Sequence, residues 1–219
     1  MSWSHYLILM RISNVEERHF YEIEAYRNGW SKDELGRQYG SSLYERLALS
    51  REKDKVMRLA LEGQQIEKPD DIFKDPYVLE FTGLPEESVY SETDLEKRLI
   101  DNLQMFLLEL GRGFTFVGRQ VRFTFEEEHY RVDLVFFNRL LRCFVLFDLK
   151  VGQLKHQDIG QMQMYVNYYD RKVKLEDENP TIGIIICKDK KGAVVEMTLP
   201  EDNNQIFASK YQTVLPSKE

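Results

Sequence analysis

Apolar residues recur at helical spacing through the first fifty positions, and beyond residue 113 the period shortens to that of strands. Residues 16–28 can form a helix that carries Phe20, Ile23 and Tyr21 inward and stops at Gly29. "SKDE" then opens a second helix as a capping box, with Ser31 as cap and Glu34 three residues on. Leu35, Tyr39, Leu43 and Leu47 continue one apolar face toward Leu49. Two helices joined by a short glycine turn fit either a DNA-reading helix-turn-helix or an ordinary helical hairpin. The second helix lacks a dense basic or amide-rich exposed face, which favours the hairpin.

A third helix is predicted over residues 94–110, where Leu95, Leu99, Ile100, Leu103, Phe106, Leu107 and Leu110 fall within an arc of roughly 140°. Gly111 and Gly113 end it. Glu96 lies inside that arc, and burying an unpartnered carboxylate costs on the order of several kcal/mol. Thr93 and Glu96 could form a capping box, with the side chain folded back on the Thr93 amide; the alternative is a functional carboxylate.

Strand-like segments follow: "FTFVG", "QVRFTF", "YRVDLVFF" and "LRCFVLFDLK" make an antiparallel meander. The four-residue connection 139–142 centres a hairpin between Leu140 and Leu141, which sets Asp133 opposite Asp148 and puts Lys150 on the same face. Residues 157–171 then read as a helix with Ile159, Met162, Val166 and Tyr169 on its apolar side. Gln161 and Tyr165 lie one turn apart along its edge. "TIGIIIC" predicts a central strand, and "AVVEMT" a strand that pairs back after the turn "KDKKG". The predicted class is α/β: an αβββαβ core with a mixed central sheet flanked by helices, plus a small all-α N-terminal region.

A chain of 219 residues can bury one good core and a smaller second one. Its net charge of −7 is uneven: residues 67–92 hold two basic and eight acidic side chains and three of the six prolines. That stretch predicts an acidic linker, docked through Phe73, Tyr77, Leu79 and Phe81, between a helical region at 1–66 and a larger domain at 93–219. The remainder is close to neutral, so the acidity does not exclude a nucleic-acid partner. Cys143 and Cys187 sit inside candidate strands and read as buried thiols. None of the four histidines has i,i+4 spacing, which argues against a histidine metal cluster. With no run of about 18 apolar residues and no signal-peptide pattern, the expected location is the cytoplasm, without membrane association.

Asp133, Asp148 and Lys150 give the hairpin its candidate chemistry. Two close carboxylates repel when ionised and invite a hard divalent cation, Mg²⁺ or Mn²⁺, for which the carbonyl of Leu149 is a further ligand. Such an ion polarises a phosphate oxygen and lowers the pKa of a bound water, and an adjacent lysine orients the attacking water or stabilises the transition state. A bare Asp-x-Lys is more commonly a buried ion pair. Here the neighbouring Asp133, the core-facing Glu96 and the amide and phenol of the following helix turn the balance toward a site.

The set Glu96, Asp133, Asp148-Leu149-Lys150 and Gln161-x-x-x-Tyr165 resembles the PD-(D/E)XK nuclease superfamily, the last pair resembling the RecB-like helix motif. More narrowly, "LLELGRGFTFVGRQVRF", "RVDLVFFNRLLRCFVLFDLK", "GQMQMYVNYYD" and "ENPTIGIIICKDK" resemble the C-terminal domain of YhcG-type bacterial nucleases. "SWSHYLILMRI", "EAYRNGWSKDELGRQ", "SLYERL" and "DPYVLEFTGL" resemble the latter part of that family's helical N-terminal domain. The resemblance implies a restriction-endonuclease-like fold and a metal-dependent nuclease acting on DNA rather than RNA. It implies Asp133 and Asp148 as metal ligands, Lys150 as catalytic, Glu96 assisting, and Gln161 and Tyr165 completing the pocket. Asp148 stands where relatives more often carry glutamate, one methylene longer. If Met1 is the native start, helices that relatives carry upstream are missing, and association with a second copy or a partner protein through the N-terminal helices is expected. The competing class is a non-enzymatic nucleic-acid-binding or adaptor protein that keeps the scaffold. Arg112, Arg119 and Arg122 are candidate phosphate contacts, or else solvated surface charges.

Overall fold

The computed structural model describes residues 1–49, 53–86 and 90–216. The chain divides into two compact units, Met1–Ile66 with Val214–Glu219, and Glu67–Thr213.

In the first unit, α1 (Trp3–Leu9), α2 (Val15–Asn28), α3 (Lys32–Gly40), α4 (Leu43–Leu49) and α5 (Lys53–Glu62) pack around Leu9, Ile12, Phe20, Tyr21, Leu35 and Leu47. Asn14 caps α2 by accepting from the amides of Glu16 and Glu17, and Gly29 ends it in the left-handed region at φ 63°. Ser31 and Glu34 form the predicted capping box of α3. The one helix expected to run on toward Leu49 is two, because the chain turns at Ser41 and Ser42, the latter at φ 53°. Ser41 Oγ donates to the Gln38 carbonyl at 3.1 Å, a local bond that competes with continuing the helix. The Leu49 side chain lies outside the described residues.

In the second unit, β1 (Tyr77–Val78), α6 (Glu92–Asp101), α7 (Leu103–Leu110), β2 (Phe114–Phe125), β3 (Glu128–Asn138), β4 (Cys143–Gln153), α8 (His156–Lys172), β5 (Ile182–Asp189), α9 (Gly192–Thr198) and β6 (Ile206–Gln212) follow in order. The six-stranded sheet has the order β1-β6-β5-β4-β3-β2. β2, β3 and β4 are antiparallel neighbours, while β4, β5, β6 and β1 pair in parallel, so the sheet is mixed. On one face α8 covers Val135, Leu146 and Ile185 through Ile159, Met162 and Val166, and Val194 and Val195 of α9 pack against the same cluster. On the other, Phe106 of α7 stands edge-on to Phe136 and Phe147, at 5.8 and 5.9 Å between centroids.

Among the described residues, the acidic segment from residue 67 falls in this unit and contributes structure to it. Tyr77 and Val78 form the edge strand beside β6, and the Val78 amide donates to the buried Glu109 carboxylate at 3.0 Å. Residues 87–89 of the segment lie outside the described residues. The long helix expected over 94–110 breaks at Asn102, whose side chain bonds back to the Arg98 carbonyl at 3.0 Å. "AVVEMT" is helical, which corrects the strand reading. Val194 and Val195 of α9, and Leu199 just past its end, pack against the core. The strand that pairs with β5 is β6, and it runs parallel rather than back.

Gly183 of β5 lets α8 approach: an added Cβ would lie 2.5 Å from Met162 Sδ and 2.9 Å from Val166 Cγ2. Gly183→Val is therefore expected to destabilise the unit by about 1–3 kcal/mol, read as a lower denaturant midpoint. Both cysteines are free and buried, and burial pushes their thiols up to about 12. No described helix is long and apolar enough to cross a membrane.

Candidate active site

The antiparallel ladder between β3 and β4 runs from Asn138↔Cys143 to Leu134↔Phe147, the register predicted by centring the hairpin on Leu140 and Leu141. It stops one step short of Asp133 and Asp148. There the Asp133 side chain replaces the ladder, its Oδ2 accepting from the Leu149 amide at 2.8 Å. On the other side of β3, the pairing with β2 skips Gln120 and Asp133 between Val121↔Val132 and Arg119↔Leu134. Gln120 has a φ of 47°, and its amide donates to both Asp133 Oδ1, at 3.0 Å, and Glu96 Oε2, at 2.7 Å.

Glu96 is free for this contact because it does not cap its helix. The cap of α6 is Ser91, whose hydroxyl accepts from the Asp94 amide at 3.1 Å while the Asp94 carboxylate accepts from the Ser91 amide at 2.9 Å. With the helix starting two residues earlier than Thr93, Glu96 projects from its second turn, is 8% exposed, and meets Gln120. Burial raises its carboxyl above the usual range; the Gln120 bond opposes that and the charge of Asp133 adds to it.

Asp148 is 3% exposed, and its Oδ2 lies 2.9 Å from Lys150 Nζ. That contact is a buried, charge-assisted ion pair in which the ammonium donates to the carboxylate. Burial pushes the Asp148 carboxyl up to about 7, the neighbouring Asp133 charge adds to the rise, and Lys150 pulls against it. Burial alone would lower Lys150, but Asp148 overcomes it and the ammonium is held above its ordinary value. Tyr165 of α8 lies within reach of the same charges. Burial pushes its phenol up to about 12, Asp148 and Asp133 add to this, and a backbone hydrogen bond with Arg131 opposes it.

Five of the residues singled out in the sequence therefore gather where α6, β3, β4 and α8 meet: Glu96, Asp133, Asp148, Lys150 and Tyr165. Gln161 is exposed one turn before Tyr165, and its side chain makes no hydrogen bond among the described residues. Leu149 is tied to Asp133 through its amide. Gln120 was not legible as a site residue; its only sequence signal is an amide in the strand opposite Asp133. Among the described residues no three Asp, Glu, His or Cys side chains close on one another as a ready-made ion cage. Gln120 stands between Glu96 and Asp133, and Lys150 against Asp148. The donor set nevertheless fits a hard cation. All its candidate ligand atoms are oxygens, and the Asp133 and Asp148 carboxylates share one ammonium, Lys150, whose Nζ lies 2.9 Å from Asp148 Oδ2.

The family model described as the YhcG PDDEXK nuclease domain matches residues 70–219, and that of the DUF1016 N-terminal domain matches residues 1–46. The Escherichia coli (strain K12) protein named "Putative nuclease YhcG" is 42% identical over 216 residues, which cover 99% of this chain and 57% of that protein. The chain thus spans a little over half the length of this curated relative. Two solved structures are similar to part of it. One is a repair endonuclease from Pyrococcus abyssi, with a TM-score of 0.37 and 16% identity, covering 61% of this chain and 50% of that one. The other is EndoMS in an "EndoMS-dsDNA2 complex", with a TM-score of 0.40 and 14% identity, covering 62% and 48%. With its larger domain matched from residue 70 to its last residue and a relative aligned along nearly all of its length, the chain belongs to the YhcG family of PDDEXK nuclease-domain proteins.

Proposed function

We propose that the chain is a metal-dependent nuclease that hydrolyses phosphodiester bonds of DNA. The observation that carries this is the meeting of Asp133 and the buried Asp148 beside one ammonium: Asp148 stays up at about 7 although Lys150 Nζ is 2.9 Å away, chiefly through burial and then through the charge of Asp133. Two carboxylates sharing one ammonium leave a place for a further positive charge. Asp133 and Asp148 would hold Mg²⁺ or Mn²⁺, with Glu96 and the Leu149 carbonyl as further oxygen ligands. What such an ion supplies is polarisation of a phosphate oxygen and neutralisation of charge on the leaving oxygen.

The remaining groups act on phosphate and water. Lys150, kept cationic by Asp148, places Nζ where charge develops at the attacked phosphorus and orients the attacking water. Tyr165 stays a neutral donor near pH 7 and can hydrogen-bond a phosphate oxygen. Gln161, exposed on the same edge of α8, supplies an amide to the strand. The helical unit positions the nucleic acid or holds a partner protein or second copy.

Cleavage of plasmid and single-stranded DNA with Mg²⁺ or Mn²⁺, absent with chelator, tests the reading. Nucleic-acid binding that is indifferent to chelator, with no polymer cut, would leave a scaffold that only binds.

Arg122 and Arg131 stand directly opposite in the β2–β3 ladder and are both exposed. Like charges so placed repel, a cost of a few tenths of a kcal/mol that an anion between them relieves. Arg122→Ser is expected to leave the melting temperature unchanged or slightly raised. It should also lower the slope of log K for DNA against log salt by roughly 0.9, the signature of one lost phosphate contact. Arg119 lies near enough to Glu96 to lower its carboxyl and is the weaker candidate for phosphate.

A further inference from the structure

Beside the site, the outer end of β2 and the length of α8 enclose a groove of about 530 Å³. Its floor is aromatic. Phe123 stacks on Tyr168 at 4.0 Å between centroids and 17° between planes, while Phe125 is 48% exposed and stacks on no ring among the described residues. The α8 wall carries two parallel rows at i, i+4, i+8 spacing: Gly160, Met164 and Tyr168 along the floor, and Gln163, Asn167 and Arg171 along the rim. Lys172 closes the same end as Arg171. None of these four polar side chains has a hydrogen-bond or ion-pair partner among the described residues.

The groove adjoins the candidate active site. On the helical wheel Gln161 falls between Tyr168 and Tyr165, and Phe123 touches Tyr165 edge-on at 5.6 Å. From Gly160 to Lys172 the wall is roughly 18 Å long, room for two or three nucleotides. Gly160 keeps it open: an added Cβ would meet nothing within 4 Å, although glycine is a poor residue for a helix interior. An apolar face, a line of amides and a cationic end match an unpaired base, which has an apolar face, a polar edge and an attached phosphate.

The geometry points to this groove as the seat for unpaired bases of the strand being cut, so that the enzyme selects single-stranded or frayed nucleic acid over intact duplex. The choice of ligand rests on the nuclease reading of the adjoining site. An exposed phenylalanine gives a base a stacking surface, the free amides of Gln163 and Asn167 reach its edge without distinguishing one base strongly from another, and Arg171 with Lys172 takes the phosphate. Duplex, with its bases stacked inside, gains nothing from the aromatic floor.

Fluorescence anisotropy in chelator, with a labelled 15-nucleotide oligothymidine, the oligouridine of the same length and a blunt DNA duplex, tests this. Phe125→Ala removes the stacking surface, and Gly160→Leu fills the groove with a better helix former, so neither change threatens the fold. Both variants are expected to bind one or both single strands roughly 5- to 100-fold more weakly than the natural chain and the duplex within about twofold. Loss on DNA alone or on RNA alone identifies the sugar that the groove accepts. Undiminished single-strand binding by both variants, equal loss on duplex, or no binding of single strands by the natural chain overturns the proposal. Cleavage of the same strands in Mn²⁺ is scored separately. Cutting with unchanged binding in the variants removes the groove and keeps the nuclease; weakened binding without cutting in any metal keeps the groove and removes the nuclease.

Discussion

Lys150→Ala and Asp148→Asn are each expected to lower Mn²⁺-dependent DNA cleavage by roughly 100- to 1,000-fold or more while the far-ultraviolet circular dichroism stays unchanged. The two losses have different causes. Without Lys150 the developing charge at phosphorus has no ammonium beside it, and Asp148 loses the cation 2.9 Å from it. Without the Asp148 carboxylate, the buried oxygen 2.9 Å from Lys150 Nζ becomes one end of a neutral amide, and Lys150 loses its close anion. Because both residues serve one site, the double variant should be little worse than either single one. A Lys150→Ala protein that cuts at the natural rate would reduce the pair to the ordinary ion bridge that Asp-x-Lys forms in many strands.

The same Asp148→Asn change is expected to stabilise the metal-free protein at pH 8. The folded carboxyl sits at about 7 against an ordinary value of 3.8, chiefly through burial, so between those two values the folded state binds more protons than the unfolded one. Stability is then fully present below the ordinary value, falls as pH rises through the window and is lowest above about 7. The penalty, with the opposing pull of Lys150 already in it, is on the order of 2–4 kcal/mol. In chelator the natural protein should melt several degrees lower at pH 8 than at pH 5.5, and Asp148→Asn should flatten that difference. Added Mn²⁺ should reverse the slope for the natural chain, since an ion binds the ionised cluster and is displaced by protons. Identical pH profiles for the two proteins would show that Asp148 is not the strained group.

Much of this arrangement is legible in the residues. The β3–β4 register follows from a four-residue connection and period-two alternation, and it puts Asp133, Asp148 and Lys150 together without knowledge of any partner strand. β5 reads as central because six consecutive positions are apolar and buried. Local pattern failed where tertiary contact decided. Val194 and Val195 have strand propensity, yet they pack against the core from a helix, and the true neighbour, β6, is a seven-residue strand whose parallel pairing depends on distant residues. Tyr77 and Val78 look like part of an acidic linker until β6 exists for them to join. The Thr93 cap was displaced by Ser91, two residues upstream with an equally good acidic partner at the third position, and that displacement turns Glu96 from a cap into a site residue. Gln120 could not be found from spacing. Its role depends on a local left-handed backbone at one strand position and on two carboxylates drawn from different elements.

Whether carboxylates from separate elements serve one ion is measured most directly by anomalous diffraction from crystals of the natural chain grown at pH 8 and soaked in Mn²⁺. The account predicts a peak within ligand distance of both Asp133 and Asp148, with the Gln120 amide released from Asp133 or Glu96 and Lys150 still beside the cluster. A well-occupied manganese elsewhere on the chain, with the Gln120 bridge and the Asp148–Lys150 pair intact and no density between the two aspartates, contradicts it.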